Sequence, residues 1–249
     1  YLSNLKISMQ ALLNAYLSSD LFGRLIFLSL FMLSIVTWVI FLQKFWLLRQ
    51  ITKYSKSFRA IFLKKKENPL NLSLKSFGAD HAYPFAALYR SLKDQTLRIL
   101  KKNYPYYSKG EEEPASPILS STDVEQLASS IEPIRSKERS RIEKNLFVLS
   151  TVATLTPLLG LLGTVWGISI TFAELPKSGS ILNNQAVLGG LSMALGTTVL
   201  GIIVAIPALI GYNYLKNQID SYFADVEDVS SDLLSSIEMC YRKVDIVDE

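Results

Sequence analysis

Apolar positions along this chain fall into three unbroken runs and several spaced ones. Leu25–Leu42, Leu146–Ala173 and Ala186–Tyr214 contain no Asp, Glu, Lys, Arg or His. A helix rises 1.5 Å per residue and a bilayer core is about 30 Å thick, so roughly 20 such residues cross it. The first run reaches that length once Leu21 and Phe22 are added, and Trp38, Phe45 and Trp46 near its far end suit the headgroup layer. Each of the other two is about 42–44 Å long as a helix, more than a crossing needs.

The spaced patterns predict surface helices. Leu5, Met9, Leu12, Leu13, Tyr16 and Leu17 recur at helical intervals among polar residues, as in a helix lying on a membrane surface. That spacing argues against a cleavable signal peptide, whose apolar core is continuous. Ile219, Tyr222, Phe223, Val226, Val229 and Leu233 form a second amphipathic pattern among acidic residues. Between the runs, Pro84 opens a predicted helix through Leu100. Asn103–Pro117 reads as a loop, and Thr122-Asp-Val-Glu125 as a capping box that starts another helix.

Charge gives the orientation. Of the 26 Lys and Arg residues, 20 lie between Lys44 and Lys144, against 11 acidic ones, and many flank the first and second runs. Basic residues beside spans stay on the cytoplasmic side, which places the N-terminus outside and the C-terminus inside. The predicted fold class is an all-α membrane protein with three transmembrane helices, the last two long and extending into the cytoplasm. Its boundaries are an N-terminal periplasmic segment 1–20, a first span 21–43 and a basic cytoplasmic domain 44–145. A second span 146–173, an outer loop 174–185, a third span 186–215 and a cytoplasmic helix 216–249 follow.

Composition agrees and excludes other classes. Mean hydropathy is +0.24 with 49% hydrophobic residues, too apolar for an ordinary soluble domain. The basic balance is explained by topology and lipid headgroups; no aromatic–basic platform accompanies it, so nucleic acid is not an expected partner. The single Cys240 allows no internal disulfide and reads as a buried or indifferent thiol, and His81 has no Cys or His companions. No nucleophile–base set, metal cluster or phosphate loop is present, so neither enzyme activity nor a cofactor or metal is expected.

Two stripes carry the functional reading. Ala153, Pro157, Gly160, Thr164, Gly167 and Thr171 share one helix face, and so do Gly190, Ala194, Thr198, Gly201, Ala205 and Ala208. Small residues on one face let helices approach closely in lipid. Alternatively, the threonine in each stripe could face a narrow hydrated path. Pro157 and Pro207 add places where a long helix can bend. A charge in mid-membrane costs about 2.5–3.5 kcal/mol on insertion scales and is usually kept for ions or protons. These runs keep none, so if protons cross, the titrating group comes from another chain.

The segments PLLGLLGTVWGISITF (Pro157–Phe172) and ALGTTVLGIIVAIPALIGY (Ala194–Tyr212) resemble the TolQ/ExbB/MotA family of proton-channel subunits. The first-span segment SIVTWVIFLQK (Ser34–Lys44) looks more like the TolQ branch than the ExbB branch. The resemblance implies an oligomeric helical bundle, a homo-pentamer in the bacterial inner membrane. Its pore would hold a dimer of a TolR- or ExbD-like single-span partner, whose aspartate carries protons. The motion would energise a periplasm-spanning TolA- or TonB-like protein, so the implied role is a stator subunit of a Tol-Pal-type complex. Matching the motifs puts the proton pathway at Thr164 and Thr198, with Thr171 and Thr197 beside them. Packing and bending fall to Pro157, Gly160, Gly163, Gly167, Ala194, Gly201, Ala205 and Pro207. One departure is Met193, where many members of the family carry a glutamate. The alternatives are an ExbB-like subunit energising uptake and a non-conducting membrane scaffold. A self-sufficient transporter is disfavoured, because there is no intramembrane charge or inverted repeat.

Overall fold

The computed structural model describes residues 10, 15–17, 19–64, 69–71, 84–107, 118–174 and 185–242. Five helices follow in order: α1 (Leu21–Lys64), α2 (Pro84–Tyr107), α3 (Ser121–Glu143), α4 (Leu146–Glu174) and α5 (Gln185–Tyr241). Among the described residues no strand forms, and the one β-type pairing is a parallel bridge between Leu119 and Arg242. Three of the helices, α1, α4 and α5, are long and apolar enough to cross a membrane. The surface helix expected around Leu5–Leu17, the outer loop from 175 to 184 and His81 lie largely or wholly outside the described residues.

Helix ends differ from the sequence expectation in one consistent way: the helices run on. The third span and the amphipathic tail are one helix of 57 residues rather than two elements. Nothing from Tyr212 to Tyr241 is a glycine or proline, so no residue there breaks the hydrogen-bond ladder. For the same reason α1 continues past Gln43 to Lys64. Helix α2 extends to Tyr107 and so takes in the start of the segment expected as a loop. The cap of α3 lies two residues earlier than expected: Ser120 and Asp123 form the reciprocal box, not Thr122 and Glu125. Helix α3 ends at Glu143, and two residues on Asn145 has a left-handed φ of 68°, a conformation asparagine tolerates better than most residues.

The chain divides into two compact units. The first takes Tyr1–Phe45 and Asn145–Lys216. Here Asp20 caps α1: its Oδ1 accepts the Gly23 amide at 2.9 Å and its carbonyl accepts that of Arg24 at 3.0 Å. Val152 and Ala153 of α4 pack against Val204 and Ala208 of α5, with Leu33 of α1 alongside. Outward-facing residues remain large and apolar, such as Leu158, Val165 and Phe172 on α4 and Ile203, Ile206 and Ile210 on α5. That exposure would be a liability in water and is the solvated state in lipid.

The second unit takes Trp46–Lys144 and Asn217–Glu249. Phe58, Phe85 and Tyr222 pack in sequence, the first pair tilted and the second edge-on, with ring centroids 5.6 and 5.7 Å apart, so one aromatic row joins α1, α2 and α5. The buried faces of Leu127, Ile219, Val226, Val229 and Leu233 complete the core. Charged pairs lie at its rim. Arg135 bridges Glu132 and Glu227, and Arg139 bridges Glu143 and Asp220, tying α3 to α5. Half-exposed pairs of this kind contribute about 0–1 kcal/mol each and set register more than stability. Cys240 is exposed, not buried.

Candidate functional site

The small-residue stripes of α4 and α5 meet each other. A Cβ placed on Gly160 would stand 3.0 Å from the Thr197 carbonyl and 3.1 Å from the Thr198 Cα. On Gly167 it would reach the Gly190 carbonyl at 2.5 Å, and on Gly201 the Thr156 carbonyl at 2.6 Å. Gly163 sits directly against the Thr197 side chain. At Gly160, Gly167 and Gly201 these are approaches of backbone to backbone, and they supply the dispersion contacts that hold helices together in lipid. Ala194 and Ala205 are buried in the same region. Pro157 and Pro207 lie inside α4 and α5 and are exposed, Pro207 on the side that lines an open groove with α1.

The threonines occupy three different settings. Thr197 is 0% exposed; its Oγ1 lies 3.0 Å from both the Met193 and Ala194 carbonyls and 3.5 Å from that of Gly160. Thr198 is half-buried, and its hydroxyl donates across the helix pair to Gly160 at 3.2 Å or along its own helix to Ala194 at 3.3 Å. Thr164 and Thr171 are half-buried and donate within α4, to Leu161 at 2.6 Å and Gly167 at 2.9 Å. The structure therefore brings Thr197 and Thr198 together with Gly160, and leaves Thr164 bonded to its own helix. Thr156, fully buried and donating to Val152 at 2.9 Å, belongs to the same contact and stood out in neither stripe. Hydroxyls in apolar helices are satisfied this way because no water is available.

At the end of this helix pair nearest the start of α1 lies a second group that sequence reading did not assemble. Asp20 Oδ2 accepts the indole N–H of Trp166 at 2.9 Å, and the Trp166 ring lies 4.5 Å from that of Phe22. Arg24 donates to the Leu17 carbonyl at 3.2 Å and covers the Tyr16 ring. Met193 is 0% exposed, packed with Ala15 and Phe27, and its thioether fills the space that a side chain at position 23 would need. Of this group only Met193 stood out in the sequence, as a departure from the family's usual glutamate, and nothing there linked Asp20 to Trp166. Among the described residues no set of His, Cys, Asp or Glu could hold a metal.

The arrangement is a pair of close-packed helices with weakly polar, non-titrating faces, bounded at one end by a carboxylate and an arginine. Comparison with known proteins bears on what such a pair does. The model of the MotA/TolQ/ExbB proton channel family matches residues 81–228, more than half of the chain. A biopolymer transport protein ExbB of Aquifex aeolicus (strain VF5) is 38% identical over 113 residues, covering 45% of this chain and 76% of that protein. The ExbB of Salmonella typhimurium (strain LT2) is 27% identical over 233 residues, 88% of this chain and 83% of the relative. One from Helicobacter pylori (strain J99) is 43% identical over 79 residues, 32% of this chain and 54% of the relative.

Proposed function

We propose, from the premise that this chain belongs to the MotA/TolQ/ExbB proton channel family, that it is the pore-forming stator subunit of a complex driven by the proton-motive force. The observation that carries this reading is the facing pair of stripes: threonine hydroxyls and bare glycine backbone, with no Asp, Glu, Lys, Arg or His within the three apolar runs. A wall of that kind conducts protons only around a carboxylate supplied by another chain. Five copies would enclose two copies of a single-span ExbD- or TolR-like partner, in a bacterial inner membrane with the N-terminus outside and the C-terminus inside. The pore wall is then Thr164, Thr171 and Thr198. Thr197, enclosed between α4 and α5, holds the helix pair together rather than meeting the lumen. The complex would energise a TonB- or TolA-like protein.

Within that role, similarity to biopolymer transport proteins ExbB favours the ExbB-type complex. The first-span segment Ser34–Lys44 favours a Tol-Pal-type complex and keeps that second reading. The test is proton flux in proteoliposomes holding this chain with its single-span partner. Thr164→Leu and Thr198→Leu should each cut flux while native mass spectrometry still finds five copies with two of the partner. Full flux in both variants would overturn the pore assignment.

A further inference from the structure

Within the first unit, an open cavity of about 450 Å³ separates α1 from α5. Trp38, Phe41 and Phe45 form one wall, and Pro207, Ile210 and Tyr214 the other. The rings brace one another. Trp38 stands perpendicular to Phe41 at 6.2 Å, Phe41 stacks on Phe45 at 5.9 Å, and Phe45 lies 6.2 Å from Tyr214. Gly211 sets the depth, since a Cβ there would stand 2.8 Å from the Phe41 ring. The Thr37 hydroxyl at its edge is already donated to the Leu33 carbonyl at 2.8 Å.

A volume in the range of ligand sites, about 300–1,000 Å³, normally comes with a few convergent polar groups. This one has almost none, so a polar metabolite gains nothing from it. It lies in the apolar part of two helices long enough to cross a membrane. Its neighbours there are acyl chains or a second copy of the protein. Helices that pack in lipid do so through small residues and shared hydrogen bonds, whereas this groove offers rigid aromatic walls. Charge decides between the two. Lys44 directly precedes Phe45, and Lys216 follows Tyr214 by two residues, with its ammonium 5.8 Å from the Tyr212 ring centroid. Because Phe45 and Tyr214 touch, both lysines stand at the same end of the groove.

We infer that the groove holds an acyl chain of an anionic phospholipid, whose headgroup phosphate sits at Lys44 and Lys216. Basic residues at a membrane surface favour anionic lipids by about fivefold each. The protein, purified in mild detergent, stripped of lipid and given equal phosphatidylglycerol and phosphatidylethanolamine, would be read by native mass spectrometry. Wild type should retain phosphatidylglycerol severalfold over phosphatidylethanolamine. Ile210→Trp, which fills the groove from an exposed position, should abolish that retention at unchanged copy number. Lys44→Gln with Lys216→Gln should still retain lipid but lose the headgroup preference. Equal retention by Ile210→Trp, or no preference in wild type, would overturn the inference. A change in copy number with lipid retention untouched would do the same, since the groove would then be filled by a second copy.

Discussion

The indole N–H of Trp166 donates to Asp20 Oδ2 at 2.9 Å while the other carboxylate oxygen holds the Gly23 amide, also at 2.9 Å. One side chain thus caps α1 and fastens it to α4. Combining Asp20→Ala with Trp166→Phe isolates the fastening, because loss of the cap appears equally in both arms of the cycle. The expected coupling is about 1 kcal/mol, towards the low end for a bond to a charged group because Asp20 is exposed. It would be read from thermal unfolding in detergent. Strict additivity of the two changes would show that the pair is not coupled.

The glycine approaches between α4 and α5 set a second expectation. In an ordinary exposed helix, Gly→Ala gains up to about 1 kcal/mol. At Gly167 and Gly201 the added methyl meets carbonyl oxygens at 2.5 and 2.6 Å, and a backbone cannot swing aside as a side chain can. Each substitution should cost about 1–3 kcal/mol through overpacking. A rise in unfolding temperature for either variant would refute the close approach.

The capping box of α3 makes stability depend on pH in a defined direction. Burial works against ionisation of Asp123. The backbone and side chain of Ser120 and the Asn103 amide outweigh it and hold the carboxyl below its ordinary value of 3.8. A depressed carboxyl binds its proton less readily folded than unfolded, so its contribution is present above that value and fades as pH falls through and below it. The stability gap between wild type and Asp123→Asn should therefore be constant from neutral pH to about 5 and shrink below it. Ser120→Ala should cost about 1 kcal/mol at neutral pH. A gap that does not change with pH would remove Asp123 as the cause.

Tyr222 presents the opposite case. Its hydroxyl is buried with no hydrogen-bond partner among the described residues, and its ring meets those of Phe85 and Phe223 edge-on. Burying a hydroxyl unpaired costs about 1–3 kcal/mol, so Tyr222→Phe should leave stability unchanged or raise it by about 1 kcal/mol. A drop of similar size in chemical or thermal unfolding would mean that the hydroxyl has a partner.

What could be read from sequence follows the range of the interactions involved. Charge-free runs specify membrane helices because solvation by lipid is a property of the segment itself. Helix ends were read less well. Both Ser120–Asp123 and Thr122–Glu125 fit the capping pattern. The choice is made by Asn103, which reaches Asp123 from 20 residues away and also holds the Ile118 carbonyl. The stripes were visible as periodicity, but periodicity does not say what a face meets. That Gly160 receives Thr198 depends on the rotation of two helices joined by a segment outside the described residues. The Asp20–Trp166 bond spans 146 positions and has no local signature at all.

The direction of the threonine hydroxyls has a chemical corollary. In Thr164, Thr171 and Thr198 the hydrogen is turned to a backbone carbonyl, so the oxygen lone pairs are what each side chain has left to offer. A surface of acceptors without donors receives a neutral carboxylic acid, which brings its own hydrogen, and repels a carboxylate, which brings only more lone pairs. A carboxyl group moving past such a surface would be held in its acid form while in contact and would become the stronger acid on leaving. Discrimination between an acid and its conjugate base then requires no charge on the wall, only the orientation of hydroxyl groups that the helix backbone itself enforces.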